Sequence, residues 1–288
     1  MPHSARLLFL LTLCLPALSS AGPLRDLIKG DDASANGAAL RRDLAYGSHP
    51  RQRYDLYLPA APHNAPIIFM VHGGGWRTGD KQSAAVIDNK LKHWLPKGYV
   101  LVSSNYRLLP EANPLEQARD IASAFAEVQR QAPNWGGDPA RMVLMGHSAG
   151  AHLVSLLASD AGLAQGIATP WLGTVALDSA VFDIPRIMQQ RHFALYDQAF
   201  GQDQALWQAA SPRLQLQRGA KPFLIVCSTR RSEACAQADA FASQAGGLGV
   251  QVQVLRQDLS HRQINQTLGE PSAYTAEVDA FLARLGLP

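Results

Sequence analysis

Continuous apolar runs alternate with amphipathic segments along most of the chain. Residues 67–71 (Ile-Ile-Phe-Met-Val) contain no polar side chain, which is typical of a strand buried on both faces of a sheet. Residues 115–131 instead place Ile121, Phe125 and Val128 at helical spacing. The same reasoning predicts strands at residues 44–47, 53–58, 67–71, 99–106, 142–145, 172–177, 223–227 and 250–255, and helices at 84–97, 115–131, 151–158, 236–244 and 270–285.

The order of these elements predicts the architecture. Strands that alternate with helices form a mostly parallel sheet with helices on both faces. The first two strands have the polar alternation of a half-exposed antiparallel pair. We therefore expect an α/β fold with a central sheet of about eight strands, and a single domain over residues 22–288.

The first residues have the pattern of a signal peptide. Arg6 supplies a positive charge, residues 7–18 are apolar but too short to span a bilayer comfortably, and small residues follow. The prediction is a signal peptide at residues 1–21, cut before Gly22, and a periplasmic or secreted protein. A retained membrane anchor is the alternative.

Composition and charge narrow the possible partners. The chain has 288 residues, of which 47% are hydrophobic and 17% charged, and a net charge of +3 without a basic run. This composition does not favour a nucleic-acid partner. Beyond the signal peptide no stretch is long and apolar enough for a transmembrane helix, so we expect no membrane contact after its removal.

Two cysteines remain once the signal peptide is removed. Cys227 and Cys235 form an even pair in a protein expected to reach an oxidising compartment. They are predicted to form a disulfide, with two free thiols as the alternative.

A Gly-His-Ser-Ala-Gly motif at residues 146–150 lies between a predicted strand and a predicted helix. This context is that of a nucleophile elbow, in which a strained turn exposes the serine at the carboxyl end of the sheet. Ser148 is therefore the candidate nucleophile.

A second glycine motif, His-Gly-Gly-Gly at residues 72–75, directly follows the buried strand at 67–71. Consecutive glycines allow backbone N–H groups to point toward one site, as an oxyanion hole requires. The spacing fits neither a P-loop nor a dinucleotide-binding loop. We interpret His72 as a structural histidine that holds this loop.

Three segments together resemble a known family. Residues 72–76 (HGGGW), 105–111 (NYRLLPE) and 146–152 (GHSAGAH) resemble α/β-hydrolase esterases of the hormone-sensitive-lipase and carboxylesterase type. The most similar group includes feruloyl and acetyl esterases and kynurenine formamidase. The resemblance implies an α/β-hydrolase fold and a serine carboxylic-ester hydrolase that forms an acyl-enzyme, without a metal or cofactor.

The same resemblance implies how the site works, but it does not specify the substrate. The N–H groups of Gly74, Gly75 and Ala149 would hold the oxyanion. Because the excursion at residues 183–218 is modest, no large lid is expected, which favours short-chain or water-soluble small-molecule esters. An amide hydrolase of the same fold, either kynurenine-formamidase-like or a peptidase, is the alternative. A binding protein that has lost catalysis is a further one.

The family order of serine, acid and histidine requires a histidine after Ser148. His152 lies one turn along the elbow helix, and His192 lies in the excursion. His261 follows the last predicted strand, where the family places its base. We therefore predict His261 as the general base.

The acid follows from the resemblance. In the family it lies on the loop after the strand before last, usually as an aspartate. Here that strand is residues 223–227, and Glu233 is the only carboxylate in the following loop. Glu233 is therefore the predicted acid, with Asp258 and Asp183 as alternatives.

Overall fold

The hydrophobic runs form one nine-stranded sheet in the computed structural model, which describes residues 31–33 and 39–288. The predicted signal peptide at residues 1–21 lies outside the described residues. The strands are β1 Asp31–Ala33, β2 Ala39–Ala45, β3 Arg53–Leu58, β4 Ala65–Val71, β5 Val100–Ser104, β6 Gly137–His147, β7 Gly173–Leu177, β8 Phe223–Ser228 and β9 Val252–Gln257.

The sheet is mostly parallel, as predicted. Its strand order is β1-β2-β3-β5-β4-β6-β7-β8-β9. The pairs β1/β2, β2/β3 and β3/β5 are antiparallel, and every pair from β5/β4 to β8/β9 is parallel. This confirms the predicted α/β-hydrolase architecture. The short β1 is the strand that the pattern did not predict.

The helices lie on both sides of the sheet. They are α1 Ala84–Trp94, α2 Pro114–Gln131, α3 Ala149–Ser159, α4 Ile184–Met188, α5 Ala194–Phe200, α6 Gln204–Ala209, α7 Pro212–Gln215, α8 Ser232–Gly247, α9 His261–Gln266 and α10 Ala273–Arg284. Helices α4 to α7 form the excursion. None of the helices in the described part of the chain has the length and apolarity needed to cross a membrane.

The continuous apolar run of β4 is explained by two hydrophobic layers. Phe69 belongs to the layer that includes Phe125 of α2, whereas Met70 belongs to the layer that includes Phe281 of α10. Successive strand residues point to opposite faces, so both faces of this strand need apolar side chains. The central strands are therefore held rigidly between the two helix layers.

The start of α8 differs from the prediction in a way that matters for the site. The helix begins at Ser232, whereas the sequence pattern predicts residue 236. Only residues 229–231 therefore connect β8 to this helix. Glu233, expected on a loop, lies in the first turn of α8 instead.

Candidate active site

Ser148 occupies the sharp turn between β6 and α3. Its φ of 56° and ψ of −118° lie in a region that non-glycine residues rarely adopt. A Cβ at Gly146 would collide with the backbone carbonyl of Gly150, and a Cβ at Gly150 would collide with the carbonyl oxygen of Val71. The glycines of the motif are therefore required by backbone packing, as a nucleophile elbow demands.

The side chain of His261 contacts this serine at the carboxyl end of the sheet. It is the first residue of α9, a helix that Ser260 and Gln263 begin with reciprocal capping hydrogen bonds. The distance from His261 Nε2 to Ser148 Oγ is 2.9 Å. The structure thus brings together the two residues that the sequence predicts as nucleophile and base.

His147 holds His261 from the side of the elbow. The two rings pack with their centroids 4.5 Å apart, and His147 Nε2 donates a hydrogen bond to the backbone carbonyl of His261, 2.9 Å away. Burial and the neighbouring His261 lower the pKa of His147 to about 3. His147 is therefore a neutral positioning residue for His261.

Asp178, rather than Glu233, contacts the far side of the His261 ring. It directly follows β7 in a positive-φ conformation and is fully buried. Its Oδ2 accepts a hydrogen bond from His261 Nδ1 at 2.6 Å. The prediction of Glu233 as the acid is therefore wrong. Glu233 lies on the first turn of α8 with its side chain exposed. Because the helix already begins at Ser232, Glu233 is not on a loop that could place it against the His261 ring.

The two alternatives for the acid are also wrong. Asp258 forms an exposed ion pair with Arg230, and Asp183 accepts a hydrogen bond from Arg213 while it caps α4. The sequence does contain a signal for Asp178. It is the first residue after the predicted strand at 172–177, next to the central strand that carries Ser148.

The surroundings of Asp178 keep it ionised. Burial by itself raises the pKa of this carboxyl group, but hydrogen bonds from His261 and from the Ser228 N–H, together with Arg231, outweigh that effect and lower the pKa. Arg231 Nη1 lies 2.6 Å from Oδ2 of Asp178 and 2.7 Å from Nδ1 of His261. The carboxylate, imidazole and hydroxyl thus form one chain along which the serine proton can pass to the ring.

The glycine loop after β4 faces the same site only in part. A cavity of about 260 Å³ is lined by Ser148, Ala149 and Gly75. Gly74 is not among its lining residues, and its carbonyl accepts the N–H groups of Thr78 and of the residue before it. The structure therefore brings two of the three predicted oxyanion-hole residues to the cavity wall.

His72 supports this loop, as the sequence interpretation holds. It is buried, stacks on Tyr106 with ring centroids 4.5 Å apart, and donates from Nδ1 to the carbonyl of Gly73 at 2.7 Å. Burial lowers its pKa to about 4. His152 is likewise structural, because it accepts a hydrogen bond from Trp76 and donates one to the carbonyl of Ala210.

The predicted disulfide is confirmed. Cys227, near the end of β8, and Cys235, in the first turns of α8, are joined with an S–S distance of 2.06 Å. The bond encloses the short connection that carries Arg231. It therefore fixes the strand-to-helix turn that supports Asp178.

Comparisons with known proteins show the family of the chain and agree with its fold. The model of the BD-FAE family matches residues 54–242, about two thirds of the chain. The solved structure of inhibited esterase B from Lactobacillus rhamnosis superposes with a TM-score of 0.71 over 87% of this chain and 88% of that one, at 21% identity. At that identity the likeness shows the fold alone.

Curated relatives share part of the chain. A probable isoprenylcysteine alpha-carbonyl methylesterase of Arabidopsis thaliana is 33% identical over 40% of this chain and 24% of its own length. The probable carboxylic ester hydrolase LipM of Mycobacterium tuberculosis is 34% identical over 48% of this chain and 31% of its own length. The matched part is thus about a quarter to a third of these relatives.

Proposed function

The chain belongs to the BD-FAE family, and on that premise we propose that it is a serine carboxylic-ester hydrolase acting on short-chain or water-soluble esters. One observation carries the proposal: the unbroken hydrogen-bond chain from Asp178 through His261 to Ser148, which ends at a strained elbow beside a cavity. Relatives named as esterases support it.

The first half of the reaction acylates the serine. His261 Nε2 takes the proton as Ser148 Oγ attacks the ester carbonyl carbon. The buried carboxylate of Asp178 holds the ring in the tautomer with a proton on Nδ1 and stabilises the imidazolium that forms. The imidazolium then protonates the departing alcohol.

The developing oxyanion needs donors beside Ser148. We assign this role to the backbone N–H groups of Gly75 and Ala149, because both residues line the cavity with the serine. Each such donor lowers the barrier by about 3 kcal/mol. Gly74 shapes the turn that presents Gly75.

In the second half of the reaction, His261 activates water, which attacks the acyl-enzyme, releases the acid and restores the serine.

The size of the cavity supports short acyl groups. A volume of about 260 Å³ is at the lower end for small-molecule sites. Trp76 and Tyr196 in its wall are buried and give it an aromatic surface. An acetyl or butyryl group fits such a space better than a long fatty chain.

The test uses a serine-reactive phosphonate and a panel of esters. We expect the wild type to form one adduct on Ser148 and to hydrolyse p-nitrophenyl acetate and butyrate, whereas Ser148→Ala does neither and keeps its melting temperature. Parallel assays with N-formylkynurenine and dipeptides cover the amide alternative. Faster turnover of an amide than of every ester would replace this proposal with that one, and absence of any adduct would contradict both.

We also propose that the protein is exported after removal of residues 1–21. The Cys227–Cys235 disulfide supports this, since such bonds persist mainly in oxidising compartments. Amino-terminal sequencing of the protein from the periplasm or medium should begin at Gly22. Recovery of the full chain in the cytoplasm with reduced thiols would contradict export.

A further inference from the structure

A second and larger cavity opens beside the catalytic one. Its volume is about 670 Å³, and it shares Ala180, Phe193, Tyr196 and Arg231 with the catalytic cavity. Arg231 contacts both Asp178 and His261. The two cavities therefore share a wall beside the reacting residues, which would let a substrate held at Ser148 extend from one into the other.

The lining of the larger cavity is strongly basic. Among the described residues that line it, four are arginines and one, Glu233, is acidic. The arginines come from two segments, α4 with the residues after it and the connection between β8 and α8. They are Arg186, Arg191, Arg230 and Arg231.

Two of these guanidinium groups already have acidic partners, and two do not. Arg230 pairs with Asp258, and Arg231 pairs with Asp178. The side chains of Arg186 and Arg191 form no ion pair with any residue that the structure describes. Both are exposed at the cavity, so their charge is available to a ligand.

We propose that this cavity binds a carboxylate carried by the substrate, so that the preferred substrate is an ester with a second, ionised carboxyl group. A planar guanidinium matches a carboxylate in a bidentate geometry, and such charge-assisted hydrogen bonds are the strong ones. The inference rests on the proposed function, because it assigns the part of the substrate that lies beyond the ester cleaved at Ser148. The carboxylate itself undergoes no bond change: water is consumed, and the ester becomes an acid and an alcohol.

The carboxylate can belong to either part of the ester, and two substrate pairs distinguish these sources. Monoethyl adipate and ethyl hexanoate compare an ionised with a neutral acyl part. The 4-hydroxybutanoate ester of butyric acid and pentyl butyrate compare an ionised with a neutral alcohol part. We expect one of the ionised esters to have a higher kcat/KM than its neutral partner, with the difference decreasing as salt is added.

The double variant Arg186→Gln/Arg191→Gln removes the unpaired charges without touching the catalytic residues. We expect its kcat/KM for the preferred ionised ester to fall about tenfold, mainly through KM, with neutral esters nearly unaffected. Arg218→Gln, an exposed arginine outside the cavity, is the matched control and should behave as wild type. Equal losses on ionised and neutral esters, or no loss on either, would overturn the inference.

A binding measurement separates failure of this inference from failure of the proposed function. Ser148→Ala should bind adipate in calorimetry, and adding the two arginine substitutions should weaken that binding about tenfold. If wild type cleaves neutral esters but the substitutions leave adipate binding unchanged, only the carboxylate site is wrong. If no ester is cleaved but adipate binds in an arginine-dependent way, the hydrolase proposal is wrong and the carboxylate site remains.

Discussion

The adjacent parallel strands β7 and β8 are each followed by a carboxylate near the site, and the two carboxylates end in opposite environments. Asp178 is the first residue after β7, is buried, and lies 2.6 Å from His261 Nδ1. Glu233 follows β8 by way of a short connection, lies in the first turn of α8 and is exposed.

The difference shows how strand ends and helix starts position side chains. A residue directly at a strand end is held in place by the rigid backbone of the sheet. For Asp178, a hydrogen bond from the N–H of Ser228 on the neighbouring strand holds the side chain as well. A residue in the next helix follows the helix surface instead. The connection after β8 still serves the site, because it supplies Arg231 to Asp178. The predictions below test this division of roles, beginning with the largest effect.

Asp178→Asn should have the largest effect on catalysis. The amide cannot hold His261 in its reactive tautomer or stabilise the imidazolium, so kcat should fall about a thousandfold or more. Steady-state kinetics on a short-chain ester measures this. Asp258→Asn removes an exposed carboxylate from the nearby loop and serves as the control. A variant at Asp178 that keeps near-full kcat would contradict the assignment.

Arg231→Met should have a smaller effect. It removes a guanidinium group that lies 2.6 Å from Oδ2 of Asp178, so the carboxylate that orients His261 is held less firmly. The loss in kcat should be about tenfold at most, because Asp178 keeps its hydrogen bonds to His261 and Ser228. Arg230→Met is the neighbouring control. Steady-state kinetics measures this, and a kcat equal to that of wild type would show that Arg231 does not support Asp178.

Replacement of both Cys227 and Cys235 by alanine should mainly affect stability. The bond closes a short loop, for which the chain-entropy model gives about 2.5 kcal/mol of unfolding free energy. Denaturant titration measures this. Because Asp178 directly follows β7 and does not lie in this loop, kcat should change far less than in Asp178→Asn. A collapse of kcat in a folded variant would show that the β8 connection matters more than we infer.

The lowered pKa of Asp178 predicts a pH-dependent contribution to stability. The folded protein keeps this group ionised to a lower pH than the unfolded chain does, so its ionisation stabilises the fold above pH about 4 and the contribution disappears as the pH falls through the folded-state pKa. The difference in unfolding free energy between wild type and Asp178→Asn should be constant from pH 7 to 5 and decrease below about pH 4. A difference that is flat to pH 2 would contradict the lowered pKa.

Glu233→Gln should have the smallest effect. Loss of an exposed charge that does not contact His261 should change kcat on a neutral ester by no more than about twofold. Because Glu233 is the one acidic residue among the described residues that line the basic cavity, the KM for an ionised ester should fall rather than rise. A large loss of kcat in this variant would restore Glu233 as the acid.

Local motifs in the sequence were sufficient to predict the serine of the candidate site and the turn that carries it. The glycines around Ser148 are required by contacts within a few residues of the turn and with the adjacent strand, so the pentapeptide after a buried strand predicts the elbow. The continuous apolar runs likewise predicted the parallel sheet, because a strand buried on both faces needs apolar residues at every position. His261 followed from the resemblance, because the family places its base after the last strand.

The acid of the site could not be predicted from a local motif, because which carboxylate contacts the histidine depends on distances between segments far apart in sequence. Asp178 and His261 are 83 residues apart in sequence. They meet because Asp178 follows β7 and His261 follows β9, and only β8 separates these two strands in the sheet. The early start of α8 turned Glu233 outward, and no periodicity in the sequence marks that start. The residues of the chain were enough to predict the fold, the serine and, through the family resemblance, the histidine, because these follow from local packing and strand order. Which carboxylate reaches the histidine, and which arginines meet in the second cavity, became clear only in the folded structure, because both depend on where separate strand ends and helices converge in space.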